Sequence, residues 1–516
     1  FGEPRRALLG GPNRLFSYHL QLPQKASLVF DHASDPGIEF VVQATADGGP
    51  TRTLKRVQGS GRWQEAAVPL GSLAGKSVRL DLETRGTGKR AAWGEPDIVH
   101  PGRPRTKTVV TTGHRAKNLI YVLIDTARQD VYRPFNPRTE VAAPEMGRFA
   151  AGSTRFTRAY ANTNWTKPSI ATIWSGLYPV THGATTKDSC LSEEVAVLPE
   201  HLRRHGFQTA AFIANGYTSD KFGFKRGWDT YRNYIREDLA PEAEHVYDDA
   251  IKWLERRPDA AGRFFLYIQT IDPHVPYGVP RDILQRYYKG GYGGRLGPSV
   301  SGYETADYNA GKLQLVQEDH RFIRALYDGE ITYHDIHFGR FMKHLEQTGL
   351  LEDSLVVVSN DHGEEMREHG KYGHGHSLYE ELIRSPLLFR FPPLFPAGEE
   401  NDSVVELVDV LPTLLEVLGI EPMKEMEGLS LLAALSGRPA LVPGYAVSEY
   451  LEEARSVRVG GLKLVRSRSG LEELYNLRDD PSEQQDLAQS HPLARRAAQV
   501  YLAEGLAVQA KVHRLT

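Results

Sequence analysis

The sequence predicts an α/β fold in which helices flank a central, mostly parallel sheet, with an N-terminal all-β sandwich and a small C-terminal α+β subdomain. Continuous apolar runs of strand length recur between residues 109 and 440, as expected for parallel strands that are buried on both faces. Helical patterns separate these runs, and such alternation is typical of a parallel sheet. A chain of 516 residues is too long for one hydrophobic core, so two or three domains are expected.

Residues 1–108 predict the β-sandwich. Alternating runs such as residues 77–82 place apolar side chains on one face of a strand. Gly- and Pro-rich breaks separate the runs at intervals typical of a sandwich. The stretch Trp93-Gly94-Glu95-Pro96 has two interpretations: its ring could line a carbohydrate-binding face, or it could belong to the core before a turn, and we favour the core.

The predicted catalytic domain, residues 109–440, follows a Pro- and Gly-rich linker at residues 101–104. Its predicted buried strands are residues 118–124, 209–213, 264–268 and 355–358. Helical patterns cover residues 195–205 and 321–348. From residue 441 to residue 516, two short strand-like pieces precede a polar helix, which predicts an α+β subdomain packed on the catalytic domain.

Composition restricts the partners. With 25% charged residues and a formal net charge of −3, the chain gives no electrostatic reason to expect nucleic-acid binding or an anionic membrane. Its one cysteine, Cys190, excludes an intramolecular disulfide and a multi-cysteine metal site. No apolar run reaches the ~18 to 20 residues of a membrane span. The sequence begins at Phe1 rather than Met, which is compatible with a signal peptide or anchor that was removed or that lies outside this sequence. We favour a periplasmic or secreted location, with a cytoplasmic one as the alternative.

Acidic and imidazole side chains follow the predicted strands at their carboxyl ends, where functional groups gather in α/β sheets. Asp125 follows the first strand, Asp272 and His274 follow the third, and Asp361 and His362 follow the fourth. Carboxylates bind hard divalent cations, and added histidines shift the preference toward zinc or manganese. Asp125 alone could instead be a helix N-cap. The sequence therefore predicts a metal site at this edge of the sheet.

The stretch Asp361-His362-Gly363-Glu364 is stronger evidence for a metal site than Asp125 alone, because two adjacent residues of ligand type follow a fully apolar strand. Three more histidines, His369, His374 and His376, follow closely. The alternative to a metal site is a solvent-exposed turn whose histidines bind no metal.

Thr166 lies in the stretch Asn164-Trp165-Thr166-Lys167-Pro168-Ser169, and a helical pattern follows at residues 170–176. We expect Thr166 just before a helix N-terminus, where free N–H groups and the helix dipole favour an anion. A capping threonine with proline in the first turn is the alternative interpretation.

These motifs resemble those of the sulfatase and alkaline phosphatase superfamily, and they occur in family order from about residue 118 to residue 490. The matching segments are 118–130, 166–170, 175–183, 272–277, 361–364, 378–387 and 474–481. The sequence departs from sulfatases at the nucleophile. Thr166 stands where sulfatases carry a Cys or Ser that becomes formylglycine, and Ile170 stands at the Arg position of their Cys-x-Pro-x-Arg motif.

Threonine cannot become that aldehyde, so the hydrate-based chemistry of sulfatases is not available to it. Superfamily members with threonine at this position include nucleotide pyrophosphatase/phosphodiesterases and phosphoethanolamine transferases, which implies that Thr166 attacks phosphorus. The resemblance implies one or two divalent ions, zinc or manganese, with calcium as an alternative. Asp125, Thr166, Asp361 and His362 would hold the first.

A second position at His274 and His374, with Asp272 as a further candidate, would hold another ion or contact the leaving oxygen. His376 takes the place of His374 if the local alignment shifts by two residues. Asn215 and Lys167 are candidates to hold the non-bridging oxygens, although Asn215 could simply be a turn residue before Gly216.

The implied function is hydrolysis of phosphoesters through a phosphothreonine intermediate, by a phosphodiesterase or a phosphonate monoester hydrolase. The substrate class is a small-molecule or a lipid- or glycan-linked phosphoester. The sequence shows no arginine dedicated to a dianionic phosphate, which favours a diester or phosphonate over a monoester. The alternatives are a sulfatase-type hydrolase of sulfuric esters, a phosphoethanolamine-type transferase and a non-catalytic glycan-binding relative.

Overall fold

The computed structural model describes residues 7–99, 113–432 and 444–512, so the linker predicted at 101–104 lies outside the described residues. The chain divides into two compact units. One comprises residues 1–105 and 456–506, and the other comprises residues 106–455 and 507–516. Within the described ranges, no helix is both long and apolar enough to cross a lipid bilayer.

The N-terminal segment forms the predicted all-β sandwich. Its strands are β1 (Ala7–Gly10), β2 (Arg14–Gln21), β3 (Ser27–Ser34), β4 (Ile38–Ala46), β5 (Arg52–Gln58), β6 (Gln64–Pro69), β7 (Ser77–Gly86) and β8 (Ala91–Val99). They form two antiparallel sheets in the orders β1-β8-β3-β6 and β2-β7-β4-β5. Trp93 is 1% exposed and packs 4.9 Å, between ring centroids, from Phe40 of the other sheet. The core interpretation of this tryptophan is therefore confirmed.

The second unit contains most of the helices and the large sheet. Its strands are β9 (Asn118–Ile124), β10 (Thr154–Tyr160), β11 (Gln208–Ile213), β12 (Thr230–Asn233), β13 (Phe264–Thr270), β14 (Ser354–Ser359), β15 (Glu365–Met366), β16 (Tyr372–Gly373), β17 (Arg384–Arg390), β18 (Glu400–Glu406) and β19 (Tyr445–Tyr450). Its helices are α1 (Pro144–Ala151), α2 (Thr166–Ser175), α3 (Pro179–His182), α4 (Leu198–Arg204), α5 (Ala243–Arg256), α6 (Arg281–Tyr287), α7 (Gly302–Asn309), α8 (Gln317–Gln347), α9 (Leu350–Asp353), α10 (Glu380–Ile383) and α11 (Val410–Leu418).

Eight strands form the central sheet in the order β12-β11-β13-β9-β14-β17-β10-β18. Five of its seven neighbouring pairs are parallel, and the two pairs that involve β17 are antiparallel. Alternate side chains of β9 enter two different cores. Leu119, Tyr121 and Leu123 pack with residues of α2, α4 and α11, whereas Ile120, Val122 and Ile124 pack with residues of α1, α5 and α8. The predicted α/β class with helices on both faces is thereby confirmed.

The C-terminal segment contains β20 (Ala454–Val459), β21 (Leu462–Ser467), β22 (Glu472–Asn476) and α12 (Pro492–Val512). Strands β21 and β22 pair antiparallel. This order of strands and then a helix matches the predicted α+β composition. Residues 456–506 belong to the same compact unit as the N-terminal strands. The domain boundaries that we drew at residues 108 and 440, and the packing of the C-terminal subdomain on the catalytic domain, stay predictions.

Candidate metal and nucleophile site

The site begins at the carboxyl ends of β9 and β14, which are neighbouring parallel strands in the middle of the sheet. Asp125 directly follows β9, and Asp361 and His362 follow β14 by two and three positions. Because the strands run side by side, their ends bring the three side chains together. Each offers a ligand atom that lies within 4.8 Å of the other two, and all three residues are fully buried.

Each carboxylate has one oxygen that is bound by the protein and one that is not. The Oδ2 atom of Asp125 accepts hydrogen bonds from Asn215 Nδ2 at 2.6 Å and Gln269 Nε2 at 3.3 Å. The Oδ1 atom of Asp361 accepts from the backbone N–H groups of Thr126 and His362. Asp125 Oδ1 and Asp361 Oδ2 are buried and have no hydrogen-bond partner among the described residues.

Two buried carboxylates that face each other with free oxygens are unfavourable unless a cation neutralises them. Burial and the neighbouring Asp361 raise the pKa of Asp125 well above its ordinary value. Burial also raises the pKa of Asp361, to about 6. Two carboxylates and an imidazole are ligands that divalent zinc or manganese accepts. The residues present therefore fit a divalent ion.

We expect the affinity for a divalent ion to fall as the pH is lowered. Protons compete with the ion for the two aspartates: the Asp361 carboxyl takes up a proton as the pH falls through about 6, and the raised pKa of Asp125 makes it protonate at a higher pH than an ordinary aspartate. Below the pKa of a ligand, each displaced proton changes the apparent affinity about tenfold per pH unit. Titration of the metal-free protein with Mn²⁺ by calorimetry should give a dissociation constant about tenfold or more weaker at pH 5.5 than at pH 7.5. Equal constants at the two pH values would contradict the assignment of these aspartates as ligands.

Thr166 is the first residue of α2, so it lies inside the helix start rather than just before it as we expected. The preceding residue, Trp165, has extended backbone angles and serves as the N-cap. The Oγ1 atom of Thr166 lies 3.3 Å from His362 Nε2, and the residue is 2% exposed. Ser169, one turn further, donates a hydrogen bond to the backbone carbonyl of Asp361 at 2.7 Å. This bond fixes the helix start against the strand end that carries the candidate ligands.

His362 presents a lone pair to Thr166. Its Nδ1 lies 2.9 Å from the carbonyl oxygen of Gly363, and since a carbonyl only accepts, Nδ1 carries the proton. The Nε2 atom is then unprotonated and lies 3.3 Å from both Thr166 Oγ1 and Asp361 Oδ2. Burial and the nearby His374 lower the pKa of His362 well below its usual value, which keeps the ring neutral. A neutral ring can bind a metal or accept a proton.

His374 and His274 lie beside this group. The ring centroids of His362 and His374 are 4.4 Å apart, and those of His274 and His374 are 5.1 Å apart. Burial lowers the pKa of His274 to about 4, and its Nδ1 bonds the carbonyl of Val275. Burial alone would also lower the pKa of His374, but its contact with Glu364, 2.8 Å from Nδ1, raises the pKa above its ordinary value. His374 is therefore the histidine of this set that favours the protonated form.

The structure does not bring Asp272 to this group. Its carboxylate accepts a hydrogen bond from the N–H of Ala243 at 2.8 Å and bonds the buried carboxyl of Glu330 on α8. The side chain of His376 also turns elsewhere, because its Nε2 lies 2.7 Å from Glu365 Oε2.

Asn215 and Lys167 have other partners than those that we expected. Asn215 donates to Asp125 and accepts from the N–H of Tyr217, so both ends of its amide are engaged and it orients a candidate ligand. The ammonium group of Lys167 donates to the carbonyls of Lys187 and Ser189 and lies 3.9 Å from the ring centroid of Phe222. Burial lowers the pKa of Lys167 to about 8.

Two residues that hold the candidate site residues in place were not among the predicted site residues. Glu364 is fully buried and bonds both His374 and the hydroxyl of Tyr277, and it belongs to the Asp361-His362-Gly363-Glu364 motif. Gln269, which orients Asp125, is a long polar side chain inside an otherwise largely apolar strand. A buried polar side chain needs a hydrogen-bond partner, and this requirement could have identified Gln269 from the sequence as a residue that supports the site.

Comparison with known proteins identifies matching family models, a similar sequence and similar solved structures. A family model described as Sulfatase matches residues 117–420, and one described as N-sulphoglucosamine sulphohydrolase, C-terminal, matches residues 367–506. The chain is similar to mouse Arylsulfatase K, with 25% identity over 75% of this chain and 79% of the relative. Two solved structures share its fold. One, solved in complex with its substrate D-glucosamine-2-N,6-O-disulfate, has a TM-score of 0.65 with 19% identity over 77% of this chain and 98% of that one. The other, a phosphonate monoester hydrolase of Agrobacterium radiobacter, has a TM-score of 0.64 with 20% identity over 77% and 96% of the two chains.

Proposed function

The chain belongs to the sulfatase family and is a sulfatase-type hydrolase of ester bonds, and from that premise we propose that it hydrolyses phosphodiesters or phosphonate monoesters with Thr166 as the nucleophile. The observation that carries this proposal is the position of the Thr166 hydroxyl. It lies at the start of α2, 3.3 Å from the unprotonated nitrogen of His362 and next to two buried carboxylates with free oxygens.

The residue type supports phosphorus as the reacting atom. By the resemblance to sulfatase motifs, Thr166 and Ile170 stand at the positions at which a sulfatase requires a formylglycine precursor and an arginine. A threonine hydroxyl is a weak nucleophile until its proton is removed. A divalent ion held by Asp125, Asp361, His362 and the Thr166 oxygen would supply the Lewis acidity that lowers the pKa of this hydroxyl.

In the proposed reaction, the Thr166 hydroxyl first loses its proton to solvent, and its deprotonated oxygen then attacks phosphorus, while the ester oxygen on the opposite side leaves with the bonding electrons. His374, which is held by Glu364 and favours the protonated form, is placed to give that oxygen its proton. The product is a phosphoryl-threonine ester that retains the other substituent of the phosphorus. Water then attacks phosphorus and gives one proton to the neutral His374, and the bond between phosphorus and the Thr166 oxygen breaks, which returns that oxygen in its deprotonated form and His374 in its protonated form.

Helix α2 contributes electrostatics as well as the nucleophile. The first N–H groups of a helix have no partner inside it and attract negative charge. Since α2 begins at Thr166, these donors lie beside the oxygen that attacks, where the non-bridging oxygens of the phosphoryl group would gather charge. Asn215 acts indirectly in this proposal, by holding Asp125 in place.

A panel of four p-nitrophenyl substrates tests this proposal: a phosphodiester, a phosphonate monoester, a phosphate monoester and a sulfate, each with and without chelator. We expect the diester or the phosphonate to have the highest kcat/KM and the chelator to abolish turnover. Sulfate ester hydrolysis is the second candidate, because the matching family and its relatives carry sulfatase names. A clear preference for the sulfate would overturn the phosphoester assignment, and product formed only with an added alcohol acceptor would indicate a transferase.

A further inference from the structure

A cavity of about 670 Å³ lies among the end of α6, the N-terminal part of α8 and the hairpin of β15 and β16. This volume is in the range of sites that bind small molecules. None of the residues that line it is a candidate ligand or nucleophile of the site described above. The cavity therefore requires an explanation of its own.

The lining of the cavity is basic. Five of its side chains are cationic, Arg286, Lys289, Arg321, Arg324 and Arg367, against three carboxylates. Arg321 and Arg324 are paired within α8, to Glu318 and Asp328. The chain as a whole carries a formal net charge of −3, so this concentration of positive charge is local. Clefts lined by one sign of charge attract ligands of the opposite sign.

Three of these cations have no carboxylate partner in the part of the chain that the structure describes. Arg286, Lys289 and Arg367 form no ion pair there, and the buried Nε of Arg367 has no hydrogen-bond partner. Arg367 also has a φ of +77°, a backbone conformation that residues other than glycine rarely adopt. Residues with strained backbone angles cluster at active sites and at sites that clamp ligands.

The hairpin that carries Arg367 joins the cavity to the candidate site. Met366 lines the cavity, and Glu364, two residues earlier, bonds His374. Tyr372 lines the cavity on the returning strand and precedes His374 by two residues. Two short strands thus connect the cationic cavity with the residues proposed to act on the leaving group.

We propose that this cavity is an anion-binding subsite that takes a second sulfate, phosphate or carboxylate group of a polyanionic substrate, remote from the ester that is cleaved. Arg286, Lys289 and Arg367 bind the anion, because they are the lining cations that form no ion pair with a carboxylate of the described residues. The inference deepens the proposed function, on which it rests for the nature of the substrate. It restricts the natural substrate to molecules with at least two anionic groups.

Calorimetric titration with two probes, sucrose octasulfate and inositol hexakisphosphate, tests the subsite without any turnover. We expect the triple variant Arg286→Gln, Lys289→Gln, Arg367→Gln to bind the preferred probe about tenfold or more weakly than the unmodified protein, a change that corresponds to about 1.4 kcal/mol. The probe that binds more tightly identifies sulfate or phosphate as the preferred group.

A matched control replaces three exposed cations outside the cavity, Arg138, Lys225 and Arg256, with glutamine. It removes the same net charge and should change the dissociation constant less than twofold. If the triple variant fails to fold, the single exposed-residue variants Arg286→Gln and Lys289→Gln should each weaken binding measurably. Equal affinity of cavity and control variants, or no binding of either probe, would overturn the subsite. Because binding is read without hydrolysis, this failure is distinct from inactivity toward phosphoesters.

Discussion

Replacement of Thr166 by alanine is expected to lower kcat by about 10⁴-fold or more on the best substrate of the panel, because loss of a nucleophile removes the covalent route altogether. Thr166→Ser restores a hydroxyl at the same position and should recover most of this loss. Thr163→Ala is the matched control. Thr163 is equally buried and three residues earlier in the chain, but it is not part of the proposed reaction.

The intermediate gives an independent measurement. The reaction is quenched with acid during turnover, and the peptide that contains Thr166 is analysed by mass spectrometry. Its mass should be increased by the mass of the substrate minus the mass of the alcohol released in the first step. The unmodified protein should carry this adduct, and Thr166→Ala should not. Full activity of Thr166→Ala with an unchanged melting temperature would refute the proposed nucleophile.

The central strands could be predicted from the sequence because their signal is local. Residues 119–124 form an unbroken apolar run, and β9 covers this run together with Asn118. A strand buried on both faces is apolar at nearly every position, so its approximate limits are visible without knowledge of its neighbours. The direction of a strand in the sheet has no comparable signal. The sequence of β17, which lies between β14 and β10, does not indicate that this strand is antiparallel to both. Strand direction is set by contacts with residues that are distant in the chain.

The candidate site also contains some residues whose position could be predicted from the sequence and others whose position depends on distant contacts. Asp125, Asp361 and His362 converge because each follows a parallel strand, and the ends of parallel strands meet at one edge of the sheet. The location of Asp272 could not be deduced in this way. It also follows a central strand, but its carboxyl bonds Glu330, which the long helix α8 supplies from a distant part of the sequence. Only the packing of α8 determines that contact.

Asp361→Asn is the second substitution with a large expected effect. The Oδ1 atom of asparagine can still accept the N–H groups of Thr126 and His362, so the local backbone should be retained. The amide nitrogen, however, replaces the free oxygen with a group that cannot bind a cation. We expect loss of bound metal, measured by elemental analysis, and a fall in kcat/KM of about 10³-fold or more.

Asp272→Asn separates a specific role in metal binding from the general effect of removing a buried carboxylate. Both aspartates are buried and both have pKa values raised to about 6, so the two substitutions remove similar charges. Asp272 bonds Glu330 and not the candidate ligands, and Asp272→Asn should therefore keep its metal content. Without metal, Asp361→Asn should melt no lower than the metal-free unmodified protein, because it relieves the repulsion between two facing carboxylates. Equal loss of metal in both variants, with both folded, would instead place Asp272 among the ligands.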